Sequence, residues 1–246
     1  VKEAGMLDLL TLMQERRSQR GPYDQQRRIE REALEKIIEA GRWAPTAHNM
    51  QNFEIIVVDD RQKLEAVAGI GFSLSEIFVR ENYKQLSFSE EELAKKKVGI
   101  LGTMFPPVMR KPDFRLSDLT EEEKKGMATR IPLQASAALL VVLYDPRQRA
   151  PASEGDFLGI MSLGCVMENM WLMANSMGIG LHILSSLAAD PVESKLKRLL
   201  DIPENLKVAF TCRLGYPPQK PDTYLRVRRD IQDLTHHNRF GNKGLG

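Results

Sequence analysis

The chain is predicted to fold as an α+β domain, a central mixed β-sheet flanked by helices. Three observations predict it. Runs of β-branched, aromatic and aliphatic residues recur at 53–59, 137–144 and 206–214, each of strand length. Segments with helical apolar spacing stand between them, the longest at 157–177. The two kinds of segment alternate at irregular intervals and without an internal repeat, unlike a regular βαβ array. With 246 residues, the whole chain, 1–246, is read as one domain.

Taken in order, residues 6–17 predict a helix with Met6, Leu9, Leu10 and Met13 on one face. A second helix spans about 30–43 on the stripe Ala33, Leu34, Ile37, Ile38 and Gly41, and Pro45 stops it. Phe53–Asp59 reads as a buried strand and Arg61–Ile70 as a short helix. From Gly71 to about Met127 periodicity weakens. Charge runs (Glu90–Glu92, Lys95–Lys97, Glu121–Lys125) alternate there with the turn-rich Phe105-Pro106-Pro107, and the runs read as solvated helix faces. So long a weakly periodic stretch is uncommon unless it covers a site. Residues 71–127 are therefore read as a substrate-covering insertion, with Phe105, Pro106 and Met109 as wall residues.

Ala137–Tyr144 is a second buried strand. The helix 157–177 is apolar almost all round, so the fold or a partner subunit must bury it. Gly178-Ile179-Gly180 ends it and leads into the apolar segment 181–184. Asp190-Pro191 starts a helix running to Leu200, and 206–214 is the last strand. Residues 217–246 form a polar, basic tail without an apolar stripe.

Composition sets bounds on partners. A net charge of +2, from 35 Lys plus Arg against 33 Asp plus Glu, gives no electrostatic footprint for nucleic acid or an anionic membrane. No apolar run approaches the roughly 20 residues of a membrane span, and no apolar signal core opens the sequence, so the expected location is cytoplasmic. Cys165 and Cys212 read as inert thiols rather than a disulfide. The histidines, at 48, 182, 236 and 237, do not pair at a spacing that would ligate a metal.

Four constellations could carry chemistry. Arg16-Arg17-Ser18-Gln19-Arg20 offers three guanidiniums and a hydroxyl to a phosphate, although alone it also fits a cationic helix end. The loop Ala44-Pro45-Thr46-Ala47-His48-Asn49-Met50-Gln51 presents amides and short polar side chains at a strand entrance, where a well-capped connection fits equally. His48 there reads as a packing residue rather than a base. Gly178–Ser186 places two glycines where backbone can approach a ring closely, but in helix-then-strand order, opposite to a dinucleotide-binding Rossmann loop. The tail carries Arg226-Val227-Arg228-Arg229 and ends in Asn238-Arg239-Phe240-Gly241.

These four, in this order, resemble the nitroreductase family of FMN enzymes over nearly the whole chain. The resemblance implies an arm-exchanged homodimer with FMN at the interface and residues 217–246 as the arm around the partner. By the same likeness Arg16, Ser18 and Arg228 hold the FMN phosphate, with Arg17 and Arg226 adding charge and Arg20 beside the flavin's pyrimidine edge. Pro45, Thr46, Ala47 and Asn49 would come from the other subunit, and Ile183, Leu184 and Ser185 would line the ring's other edge. The implied activity passes electrons from NAD(P)H through flavin N5, in ping-pong order, to a small acceptor such as a nitroaromatic or quinone. Arg20 would act as an electrostatic stabiliser, and no side chain would serve as catalytic acid or nucleophile. The same fold would also serve reductive dehalogenation, enone reduction or flavin breakdown, and the tail's composition alone suits a non-enzymatic module that binds an anionic ligand or a protein. Asn52-Phe53, where many members have Pro-Trp, is the main departure.

Overall fold

The computed structural model describes residues 9–70, 86–104, 115–120, 133–190, 192–218 and 224–245. Contacts divide the chain into two compact units, residues 1–72 with 128–221 and residues 73–127 with 222–246.

The first unit is built on a four-stranded sheet. Its strands are β1 (Glu54–Val58), β4 (Ala138–Tyr144), β5 (Gly180–Leu184) and β6 (Lys207–Gly215), in the order β1-β4-β6-β5. All three strand pairings are antiparallel; a parallel bridge between Ser18 and Leu181 at the β5 edge makes the sheet mixed. β4 is buried on both faces because alternate residues serve two cores. Ala138, Leu140 and Val142 join Cys212 and Leu214 beneath helices α2 (Arg31–Arg42) and α5 (Phe157–Ser176). Leu139, Val141 and Leu143 face the other way, toward α3 (Arg61–Gly69) and α6 (Val192–Leu199). The layers are therefore helix, sheet, helix, which explains why a continuous apolar run was needed at 138–143.

β1 departs from expectation. It lies at the sheet's edge and is only partly covered, with Val58 its one buried residue. β-branched composition marks a strand but does not place it within a sheet.

α2 meets α5 closely at Gly41, where an added Cβ would stand 2.9 Å from Met170 Cγ. Asn169 Nδ2 also donates to the Ala40 carbonyl at 3.0 Å. The two ends of α5 differ. Val166, Met170, Trp171 and Ala174 are buried, whereas Phe157, Ile160 and Met161 are 65%, 60% and 51% exposed. By length and composition alone this helix would pass as membrane-crossing, contrary to the sequence expectation. Its buried residues, Val166, Met170, Trp171 and Ala174, all lie from the middle of the helix onward, and its first turns are apolar and exposed.

The second unit carries α4 (Glu90–Lys96) between β2 (Ser87–Phe88) and β3 (Ile100–Leu101), which pair in parallel. Ser89 and Glu92 form a capping box, with acidic residues in the first turn and Lys95 and Lys96 in the last, matching the helix dipole. The charge runs at 90–97 are thus the exposed face of a capped helix. The tail holds the short α7 (Ile231–Leu234), and Asp230 pairs with Lys97. Phe105, Pro106, Met109 and Pro191 lie outside the described residues, as does the start of the expected helix 6–17, described as α1 (Leu9–Glu15).

The glycines of 178–180 have structural work. Gly178, at φ +69°, ends α5, with its N–H and that of Ile179 donating to the Asn175 and Ala174 carbonyls. Gly180 and Gly215 pair across β5 and β6 and together leave a bay for Tyr23. The ring they admit is a tyrosine's. Gly215→Ala would set a Cβ 2.5–2.7 Å from Tyr23 atoms and should destabilise by about 1–3 kcal/mol. Gly69→Ala, with nothing within 4 Å, is the matched control and should not destabilise. Urea unfolding midpoints of the two variants check this, and equal midpoints would show that Tyr23 does not fill the bay.

Candidate functional site

Residues 16–21 run alongside β5. The Gln19 N–H donates to the Leu181 carbonyl at 3.0 Å beside the Ser18 bridge, so the first constellation and the 180–185 segment are brought together. The same stretch is tied to α5. Trp171 Nε1 donates to the Arg17 carbonyl at 3.2 Å, and the Arg16 guanidinium lies over the Trp171 ring with Nε 3.2 Å from Glu168. Arg16, Arg17 and Ser18 are half-buried and Arg20 is exposed.

Beneath this turn lies a residue the sequence reading did not select. Arg213, on β6, is wholly buried. Its Nη2 meets the carbonyls of Gln19, Arg20 and Gly21 at 3.1, 2.8 and 2.7 Å, and its Nε donates to His182 Nδ1 at 3.2 Å. The guanidinium stacks on Tyr23 at 4.5 Å, and the Tyr23 hydroxyl donates toward the Gln19 and Arg213 carbonyls. Nη1 has no partner among the described residues. The available signal was an arginine between the apolar Cys212 and Leu214 of a strand, since a cation there must be answered by something specific.

Burial, then the charges of Arg213 and Arg20, hold His182 down to about 3, so the imidazole is neutral and accepts at Nδ1. Burial likewise pushes up the Cys212 thiol and the Tyr23 phenol. Both cysteines are free, with Cys165 half-buried.

The third constellation is split by the alternation of β5. Ile183 packs against the core under α5, while the Leu184 side chain sits in the opposite core. Its carbonyl already accepts from Thr211 Oγ1 at 2.8 Å. Ser185 is exposed at the strand's end.

The Pro45–Asn49 loop sits elsewhere on α5. The Ala47 N–H donates to Ser162 Oγ at 3.0 Å, and Thr46 Oγ1 accepts from the Gln51 N–H at 3.2 Å. His48, Asn49 and Gln51 all have left-handed backbone, φ 51°, 52° and 48°. Only asparagine adopts it readily, so the loop stores strain. His48 is exposed, against the expectation that it packs. Thr46 and Ala47 border a small, open, mostly apolar cleft, whose walls include Phe53, Tyr144, Ile160 and Leu163 but none of residues 16–20. Asn52 closes one side: its amide donates to the Asp145 and Gln148 carbonyls at 2.9 Å and accepts from the Asp145 N–H.

Arg226 and Arg228 belong to the second unit. Both are exposed, and the Arg228 guanidinium turns back onto the Val227 carbonyl at 2.7 Å.

The Nitroreductase family pattern matches residues 13–216, from the Arg16 segment through β6. The chain belongs to the nitroreductase family. Among its relatives is a protein of Archaeoglobus fulgidus assigned as an NADH dehydrogenase/NAD(P)H nitroreductase, 27% identical over 96% of this chain and 100% of its own length. The fold is shared with a Bacteroides fragilis nitroreductase solved with bound FMN: TM-score 0.56, 21% identity, 90% of this chain and 95% of that one. It is also shared with an FMN-dependent nitroreductase of Clostridium difficile: TM-score 0.56, 17% identity, 94% and 100%.

The neutral His182 gives this nitroreductase-family chain a specific acid response. Its folded value lies below the ordinary 6.5, so below that pH the unfolded chain takes up a proton that the folded one refuses. Stability from this group is full above pH 6.5 and is lost as pH falls toward 3. Urea midpoints should drop between pH 7.5 and 5, and His182→Asn, which retains an acceptor for Arg213 Nε, should flatten the drop. An unchanged slope in the variant would show that His182 is not the titrating group.

Proposed function

We propose that this protein is an FMN-dependent oxidoreductase that passes electrons from NAD(P)H to a small acceptor such as a nitroaromatic or quinone, in ping-pong order, as a homodimer. The observation that carries the reading is the turn at 16–21, which sets Arg16, Ser18 and Arg20 along β5 above the buried Arg213. Four guanidiniums within one short turn and the strand below it suit a ligand that carries phosphate and gains negative charge on reduction. The donor set fits FMN. Its phosphate would be held by Arg16, Ser18 and Arg228, with Arg17 and Arg226 adding charge. Arg20 would stabilise negative charge at the pyrimidine edge, and Ile183, the Leu184 backbone and Ser185 would border the ring. When bound, FMN supplies hydride acceptance and donation, so no catalytic triad is required of the chain.

Two features favour a site shared between subunits. Ser162, which anchors the Pro45–Asn49 loop, and Glu168, which meets Arg16, are six residues apart on α5. That separation is about 9 Å along the axis and about 120° around it, so one chain aims the loop and the arginine turn to different sides. Leu9, Leu10, Phe157, Ile160, Met161 and Ile231 are also exposed, a distribution suited to burial by a second copy with residues 217–246 as the exchanged arm. We read 71–127 as the acceptor cover and the whole chain as one functional domain.

Two experiments test this. Arg228→Ala should weaken FMN far more than riboflavin, because a charge-assisted phosphate contact is worth about 1.5–3 kcal/mol; titration of apoprotein with each flavin measures it. Equal weakening would remove Arg228 from the phosphate. The second experiment mixes subunits. Arg16→Ala and Asn49→Ala, each nearly inactive alone, should recover activity when unfolded, mixed and refolded, since a mixed dimer holds one intact site. Mixed dimers confirmed by mass but lacking activity would sink the shared site.

A further inference from the structure

Arg213 is the largest wholly buried side chain described, and it stands where the flanking strand residues are apolar. Withdrawing a guanidinium from water costs several kcal/mol unless charge and hydrogen bonds are answered. No carboxylate answers this one among the described residues; its partners are three successive carbonyls, a neutral imidazole and the face of Tyr23. Nη1 remains without a partner. Burial lowers the affinity of Arg213 for its proton, yet a guanidinium starts so high that it stays charged.

This arrangement does two things. The fork of donors gathers the carbonyls of Gln19, Arg20 and Gly21 on one point, which fixes the backbone from which the Arg20 side chain projects outward. The charge itself is only partly offset by carbonyl dipoles, so a positive potential persists under the turn. A lysine would keep the charge but lose the planar fork.

We propose that Arg213 is a positioning residue for the cofactor, presetting the Gln19–Gly21 turn so that Arg20 meets the flavin and biasing the site toward the reduced, more negatively charged flavin. The inference rests on the FMN reading above. It is tested with Arg213→Lys, Arg213→Met and Arg20→Ala, and with the Arg213→Lys/Arg20→Ala double variant. FMN and riboflavin affinities are measured by fluorescence titration of apoprotein, and the potential of bound FMN by equilibration with reference dyes. Arg213→Lys should weaken both flavins at least tenfold and lower the potential by no more than Arg20→Ala does, because it keeps the buried charge and loses only what Arg20 supplies. Arg213→Met should in addition cut the preference for reduced flavin tenfold or more, a fall of about 30 mV in a two-electron potential.

A lysine variant with parental affinity overturns the presetting, and a methionine variant with the parental potential overturns the bias. Should Arg213→Met not fold, the lysine cycle decides. If Arg213 works through Arg20, adding Arg20→Ala to Arg213→Lys costs less affinity than adding it to the parent, whereas strict additivity overturns the inference. A parent chain that binds no flavin overturns the FMN reading as well; binding by the parent with unaltered variants overturns this inference alone.

Discussion

A cation buried in a sheet without a carboxylate must be answered by the backbone, and that requirement shapes everything around Arg213. Three carbonyls can converge on one nitrogen only if residues 19–21 bend over the sheet, which the Gln19–Leu181 hydrogen bond and the Ser18 bridge secure from the side. Tyr23 then covers the guanidinium, and it fits only because the two residues paired beneath it are Gly180 and Gly215. His182 completes the set by remaining neutral; a second cation at that point would add repulsion to desolvation. The arginine, the turn, the ring and the glycines form one interlocked unit beneath residues 19–21.

α5 performs a different task, separating the two halves of the candidate site. Its C-terminal half holds the arginine turn through Trp171 and Glu168, and its N-terminal half holds the Pro45–Asn49 loop through Ser162. Phe157, Ile160 and Met161 stand exposed along one helix, an apolar patch of the kind that marks an interaction surface. Under the proposed homodimer that patch is covered on association, and the same contact would bring one copy's loop to the other copy's turn.

The layers were legible because their signals are local. The run 138–143 is apolar without interruption because both faces of β4 are covered, and α2 shows its stripe because only one side of it meets α5. The position of β1 was not legible, since edge and centre differ in neighbours rather than in composition. Among site residues, the meeting of the arginine segment with β5 followed only from the family resemblance, and the segment lies beyond the helix end rather than in the expected helix 6–17. Arg213 was marked only by its apolar neighbours, because a single arginine in a strand carries no spacing pattern and the carbonyls that meet it lie almost two hundred residues away. The glycines misled for a related reason. Room for a ring can be read from sequence, but whose ring it is depends on tertiary packing.

The strain at 48–51 bears on how the other half of the site is held. Left-handed backbone at His48 and Gln51 costs on the order of 1–2 kcal/mol per residue, and it persists only where surrounding bonds over-determine the path. Those bonds are present: Ala47 is fixed to Ser162, Thr46 to Gln51, and Asn52 to both ends of the turn at 145–148. Asn52 stands where many family members have proline, which has no side-chain amide and could not make these contacts. The departure from the family pattern is therefore compensated within this chain, as the asparagine anchors the loop to the end of β4. Asn49 lies between the two anchored ends in the one left-handed position its side-chain type tolerates well, with its carboxamide oxygen accepting from Gln51 Nε2. A loop so constrained gives up little conformational freedom when a ligand or a second subunit meets it. That is why its strain is better understood as preorganisation than as a packing fault.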